Sequence, residues 1–202
     1  MVHSGNAKAM AAYKIPDRLL INSNLIVMFS SDEDLSDDKA FDFLLKRILN
    51  NRNMSLERIL WFRHTPPTRL PNLRPTVYQL SRIDFRYCYD KLLHHVAELC
   101  LNWSSSSKSF SAIIIEFSSV DVLNQNSFGT MLALLSDLLW WKNLEFKNDN
   151  FMSSSGLIVF QIIVFLRMME GNDLPSIATL YTDNILFIHN DDIIEELMHR
   201  NK

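Results

Sequence analysis

The sequence predicts an α/β domain in which a mostly parallel sheet is flanked by helices. One observation is the uninterrupted run Ile113, Ile114 and Ile115 within residues 111–117. β-Branched residues without polar alternation favour a strand buried on both faces, the habit of parallel sheets. Another is that such runs are followed by segments with apolar residues at 3/4 spacing, most clearly over residues 89–103. The last is size: 202 residues, 48% hydrophobic and 21% charged, suit one domain with its own core. Residues 1–17 are read as a flexible amino-terminal arm closed by Pro16, and residues 18–202 as a single domain.

Residues 19–29 predict a first strand with its core at Leu25, Ile26, Val27, Met28 and Phe29. After an acidic loop, Ser36 is a good N-cap, and Asp37 and Asp38 suit the positive end of a helix dipole. That helix runs to about Asn50 on a face of Phe41, Leu44, Leu45, Ile48 and Leu49. Residues 56–62 read as a second strand. Four of the six prolines then fall at Pro66, Pro67, Pro71 and Pro75, so residues 64–75 are a stiff extended loop. A strand over 81–87 puts Ile83, Phe85 and Tyr87 on one face, and the 89–103 helix follows. After the 111–117 strand, residues 126–142 are helical and strongly apolar. Trp140 and Trp141 are adjacent there and cannot both face inward on one stripe, which makes them candidate interface aromatics. A polar loop is expected over 143–155, then a strand over 157–160 that runs on or turns at Gln161. Residues 176–181 and 184–189 predict a carboxyl-terminal β-hairpin, and Asp191 is expected to cap a final helix over 192–200.

A formal net charge of −3 argues against general nucleic-acid binding. Cys88 and Cys100, both in apolar context, read as reduced thiols of a cytosolic or nuclear protein. Residues 1–8 hold no apolar signal-peptide core. The longest apolar run, 157–166, is interrupted by Gln161 and is too short to span a bilayer.

Only four glycines are present, where usage of about 7% would give roughly fourteen. A phosphate loop needs Gly-x-x-x-x-Gly-Lys-[Ser/Thr] between the first strand and helix: glycines for close backbone approach, lysine for charge, hydroxyl for magnesium. With Lys39 as the lysine, Glu33 and Asp38 occupy the glycine positions and Ala40 the hydroxyl position. Asp32, Glu33, Asp34, Asp37 and Asp38 crowd the place of the triphosphate, with repulsion on the order of 1–4 kcal/mol per charge pair. No nucleotide, cofactor or metal is expected. The acidic run lacks the glycine and terminal glutamate of a calcium loop, neither cysteine has zinc spacing, and there is no Gly-x-Ser-x-Gly elbow. His94 and His95 are adjacent on a helix and point apart. Arg63, Arg69, Arg74, Arg82 and Arg86 stand against Asp84 alone, a formal +4. They read as solvated loop residues or as a contact patch for an acidic surface or a nucleic-acid backbone.

In order of segments the chain resembles the RecA-like recombinase core. In that family the first strand leads to the phosphate loop and helix, a later apolar strand ends in an acid (the Walker B strand), and another ends near a nucleotide-sensing glutamine. Residues 25–29, the Lys39 helix, Ile113, Ile114, Ile115 and Glu116, and Val159 to Gln161 fall in that order. The likeness covers residues 19–189 and is nearest to the divergent, shortened recombinase paralogues that assist homologous recombination. It departs in having no Walker A loop, and glutamate where aspartate is usual. It implies a RecA-like domain that is no enzyme and uses no cofactor, with Glu116 structural or at an interface. Such a protein would pair with another recombinase paralogue as a heterodimer in the nucleus. It would act on the recombinase filament and reach single-stranded DNA indirectly, with no membrane contact. The competing expectations are a catalytically dead ATPase-like adaptor of an unrelated, for instance RNA-modifying, complex, and a hydrolase with an acidic metal site.

Overall fold

A computed structural model describes residues 24–30, 35–50, 58–103, 110–118, 123–148, 160–167, 173–189 and 192–194. Among these, six strands are parallel and form one sheet with a seventh in the order β3-β2-β4-β5-β1-β6-β7. The strands are β1 (Leu25–Ser30), β2 (Ile59–Arg63), β3 (Ile83–Tyr87), β4 (Ala112–Glu116), β5 (Gln161–Arg167), β6 (Asn184–His189) and β7 (Asp192–Ile194). Between them lie α1 (Asp37–Asn50), α2 (Val77–Leu80), α3 (Leu92–Leu101), α4 (Gln125–Asn148) and α5 (Leu174–Ala178).

The isoleucine run falls where its composition demands. β4 lies between β2 and β5, and all five of its residues are buried. Its side chains alternate between two cores. Ile113 and Ile115 join Leu60, Val96, Leu132, Val164 and Leu174 on the face covered by α3, α4 and α5. Ile114 joins Met28, Phe41, Leu44, Trp61 and Phe165 on the face covered by α1. Ser36 caps α1 through its Oγ, which accepts from the Lys39 amide at 3.3 Å. Asn124 does the same for α4, its Oδ1 accepting from Ser127 at 2.8 Å.

Several expectations are corrected. The first half of the predicted hairpin is helix α5, because Pro175 sits in its first turn and Leu174 and Ala178 pack on the sheet. β6 instead pairs in parallel with β1, and its antiparallel neighbour is β7. Asp192 therefore opens a strand rather than a helix; residues 195–202 lie outside the described residues. α4 continues through Asn148, six residues into the expected polar loop. The 89–103 helix begins as a 3₁₀ turn at Tyr89–Lys91, where Tyr89 adopts φ 50°. Of the two courses left open at Gln161, the strand runs on: β5 starts there, later than the expected 157–160, since Ile162 to Leu166 form its buried run. Residues 1–17, and the starts of the first two predicted strands at 19–23 and 56–57, lie outside the described residues, as do 157–159.

Candidate functional site at the carboxyl ends of the strands

Strands of a parallel sheet present their carboxyl ends to the loops that bind ligands, above all where neighbouring connections leave to opposite faces. β1 and β5 are such neighbours: α1, which follows β1, packs on one face, and α5, which follows β5, on the other. Ser30 and Arg167 sit side by side at their ends.

Glu116 ends β4, and Arg63 ends β2 at the paired position. Their register makes them meet. The Arg63 Nη2 donates to Glu116 Oε1 at 3.1 Å, and the Trp61 indole Nε1 donates to Oε2 at 2.9 Å. Both side chains of the ion pair are only 3% exposed. The Arg63 guanidinium lies over the Phe41 ring at 4.5 Å, and Phe41 packs on Trp61 at 5.1 Å. Arg63 Nε and Nη1 have no acceptor among the described residues. On β5, Arg167 Nη2 donates to Asp37 Oδ1 at 2.8 Å, tying the first turn of α1 to the sheet. Each of these two cations at the strand ends thus faces a carboxylate of the chain's own.

Burial raises the Glu116 carboxyl to about 7, although Arg63 and the Trp61 N–H pull it down; Asp37 adds to the rise and Arg167 opposes it. Both oxygens of this buried carboxyl already accept hydrogen bonds from the fold, and its desolvation favours the neutral form.

The acidic start of α1 is bound to the proline loop. Asp38 accepts from the Thr68 amide at 2.9 Å and from the Thr68 hydroxyl. Asp42 accepts from the Asn72 amide at 3.2 Å and from Asn72 Nδ2 at 2.8 Å. Arg69 lies within 3.8 Å of Asp38 and 3.7 Å of Asp42. The Thr68 hydroxyl and amide hold the Asp38 carboxyl below the ordinary range against weak desolvation, with help from Arg69 and Arg63. Lys39 is exposed between these aspartates.

The expected arginine patch is corrected at Arg63 alone; Arg69, Arg74 and Arg86 are exposed and Arg82 is half-buried. Arg63 is buried against Glu116, because a cation ending a fully buried strand must meet an anion there. Arg69 serves the chain's own acidic helix. Arg82 lies over Tyr78 at 5.6 Å, Arg86 is 3.5 Å from Asp84, and Arg74 is exposed. Gln161, at the amino end of β5, is at the opposite end of the strands from Glu116 and cannot share a ligand with it. Trp141 is 60% exposed and stands edge-on to the half-buried Trp140 at 5.0 Å. His94 is exposed, and His95 approaches Glu98 at 3.6 Å. Neither cysteine forms a disulfide among the described residues, and burial pushes the Cys100 thiol up to about 12, with Asp137 adding to the rise. Trp61, Arg167 and Thr68 were not singled out from the sequence, and Phe41 and Asp37 were read only as parts of the first helix. The signal for Trp61 is Ile59 to Arg63, an apolar strand ending in a cation that complements the acid ending β4.

An open groove of about 460 Å³ lies on the opposite face, between β2, β3 and α3, lined by Leu60, Phe62, Arg86, His95 and Leu99 among others. Among the described residues no helix is long and apolar enough to cross a membrane. No family model matches the chain, and no curated protein is significantly similar to it.

Proposed function

We propose that this chain is a non-catalytic RecA-like recombinase paralogue. It pairs with another paralogue and assembles or remodels recombinase filaments on single-stranded DNA in homologous-recombination repair, touching DNA indirectly and working in the nucleus. In this reading it takes no nucleotide and works by contact. One observation supports it most: an acid at the carboxyl end of a central parallel strand, as a Walker B strand would carry, is consumed by Trp61 and Arg63 inside the fold. The first turn of α1 agrees with it, because Asp37 and Asp38 are engaged by Arg167 and the proline loop, and a triphosphate would meet carboxylates there. Trp141, exposed on α4, is the surface assigned to the paralogue.

The test is native purification of the tagged full chain from damaged and undamaged cells, followed by mass spectrometry, beside a deletion strain challenged with a crosslinking agent. Co-purification of a recombinase paralogue and damage sensitivity are expected. Unchanged survival with recovery of an RNA-modifying assembly would replace this reading by the adaptor.

A further inference from the structure

We propose that this protein self-associates through β3, two copies joining their edge strands antiparallel about Phe85 so that their sheets become one. The proposal stands apart from the recombination reading. Among the described residues β3 pairs only with β2 and ends the sheet. The Ile59 amide donates to the Arg82 carbonyl, and the Cys88 amide donates to the Arg63 carbonyl. In a parallel ladder, alternate residues aim both backbone groups at the same neighbour. The even-numbered residues of β3 thus serve β2, and Ile83, Phe85 and Tyr87 direct their N–H and C=O groups outward. An edge of this kind is a template for another strand.

The side chains say which strand. Read antiparallel against itself about Phe85, Ile-Asp-Phe-Arg-Tyr is self-complementary. Phe85 faces Phe85 of the second copy, and Ile83 faces its Tyr87, each exchanging both backbone hydrogen bonds at a Cα separation of about 5.5 Å. Asp84 faces Arg86 and Arg86 faces Asp84 at the closer, non-hydrogen-bonded positions, about 4.5 Å apart. A lone charge on an edge strand repels a second copy; this opposed pair attracts one. The backbone accepts a two-fold axis at Asp84, Phe85 or Arg86; the charges choose Phe85, because an axis at Asp84 or Arg86 sets like charges face to face.

The surroundings fit a second copy as well. Phe85 and Tyr87 stack with rings 3° from parallel at 6.2 Å, and Phe85 rests on Trp61 at 5.4 Å, so the row is stiff before association. Asp84 and Arg86 lie on the other face, with Arg86 54% exposed. Antiparallel pairing brings Leu80, exposed just before one β3, toward Tyr89, exposed just after the other. Such a contact is isologous and closes at two copies.

The test is sedimentation of the full chain over a concentration series with two charge variants. The wild type is expected to form a dimer. Asp84→Arg alone and Arg86→Asp alone each place like charges across the axis and should weaken it at least tenfold. An equimolar mixture of the two should dimerise again, because each copy then faces its opposite. Both variants lose the Asp84–Arg86 contact within one chain, so recovery on mixing reports contact between copies. Hydrogen exchange should show the Ile83, Phe85 and Tyr87 amides slowing as concentration rises. A wild type that stays monomeric, a dimer indifferent to both variants, failure of the mixture to recover, or those amides slowed only by a different protein would each overturn the proposal.

Discussion

Arg63 and Glu116 sit opposite one another at the carboxyl ends of β2 and β4, joined at 3.1 Å and almost wholly withdrawn from water. The Trp61 indole holds the second carboxyl oxygen. A charge in this position is stable only because its partner ends the adjacent strand, and the consequences are measurable.

Glu116→Ala is expected to lose about 3–5 kcal/mol of unfolding free energy, because it strands the Arg63 cation in the core. Arg63→Met combined with Glu116→Gln should recover most of that loss. Methionine fills the space over Phe41 without charge, and the glutamine oxygen still accepts from Trp61. Urea denaturation of the two variants and the wild type measures both numbers; a double variant as unstable as Glu116→Ala would mean that the pair contributes more than mutual neutralisation.

The Glu116 carboxyl also sets a pH dependence of known sign. Its pKa is about 7 in the fold and 4.5 for an unperturbed glutamate. Between those values the folded state holds a proton that the unfolded state has released. Its contribution to stability is therefore complete below about 4.5 and is lost as pH rises through about 7. Asp38, depressed in the fold, acts in the opposite sense: its contribution is present above its unfolded pKa and lost as pH falls through the folded one. Subtracting the stability profile of Glu116→Gln from that of the wild type isolates the Glu116 slope. A flat difference over pH 4.5–7 would contradict the raised pKa.

Asp38 and Asp42 clasp the proline loop to α1. Asp38→Ala with Asp42→Ala should speed amide exchange at Thr68 and Asn72 by tenfold or more, while the midpoint of global unfolding moves little, since exposed polar pairs are worth about 0–1 kcal/mol each. Exchange read residue by residue separates this local release from global loosening.

Trp141→Glu should leave the thermal midpoint within a few degrees of the wild type, because its side chain is mostly in solvent, yet abolish recovery of the paralogue in the pull-down. Lys39→Ala, at an exposed position outside both ion pairs, should change neither property. Loss of function from Lys39→Ala with Trp141→Glu silent would invert the proposed division between contact and nucleotide handling.

Much of the fold could be read along the chain because burial leaves a local mark. The isoleucines of β4, the 3/4 spacing in α1 and α3, and the Ser36 cap all sit in the elements that their patterns predict. Errors came where a short segment suits two structures. Residues 176–181 alternate well enough for a strand, but Pro175 and the packing of Leu174 and Ala178 make α5. At Gln161 the pattern allowed a strand that runs on or one that turns; strand structure runs on past it and begins there, because the apolar residues on its carboxyl side are those that pair with β1 and β4. The small helix α2 carries a capping box, Thr76 with Gln79, that is legible in hindsight.

The linear order of residues determined by itself that this is an α/β domain built on a buried apolar strand ending in an acid, and that the first helix opens on carboxylates where a phosphate loop would need glycines. Only the tertiary structure decided what those charges do. Arg63 and Glu116 are 53 residues apart, and Asp37 and Arg167 are 130 apart. Sequence patterns register a residue's exposure to water, whereas the partner of a buried charge depends on which strands lie side by side, and strand order is written in no local window.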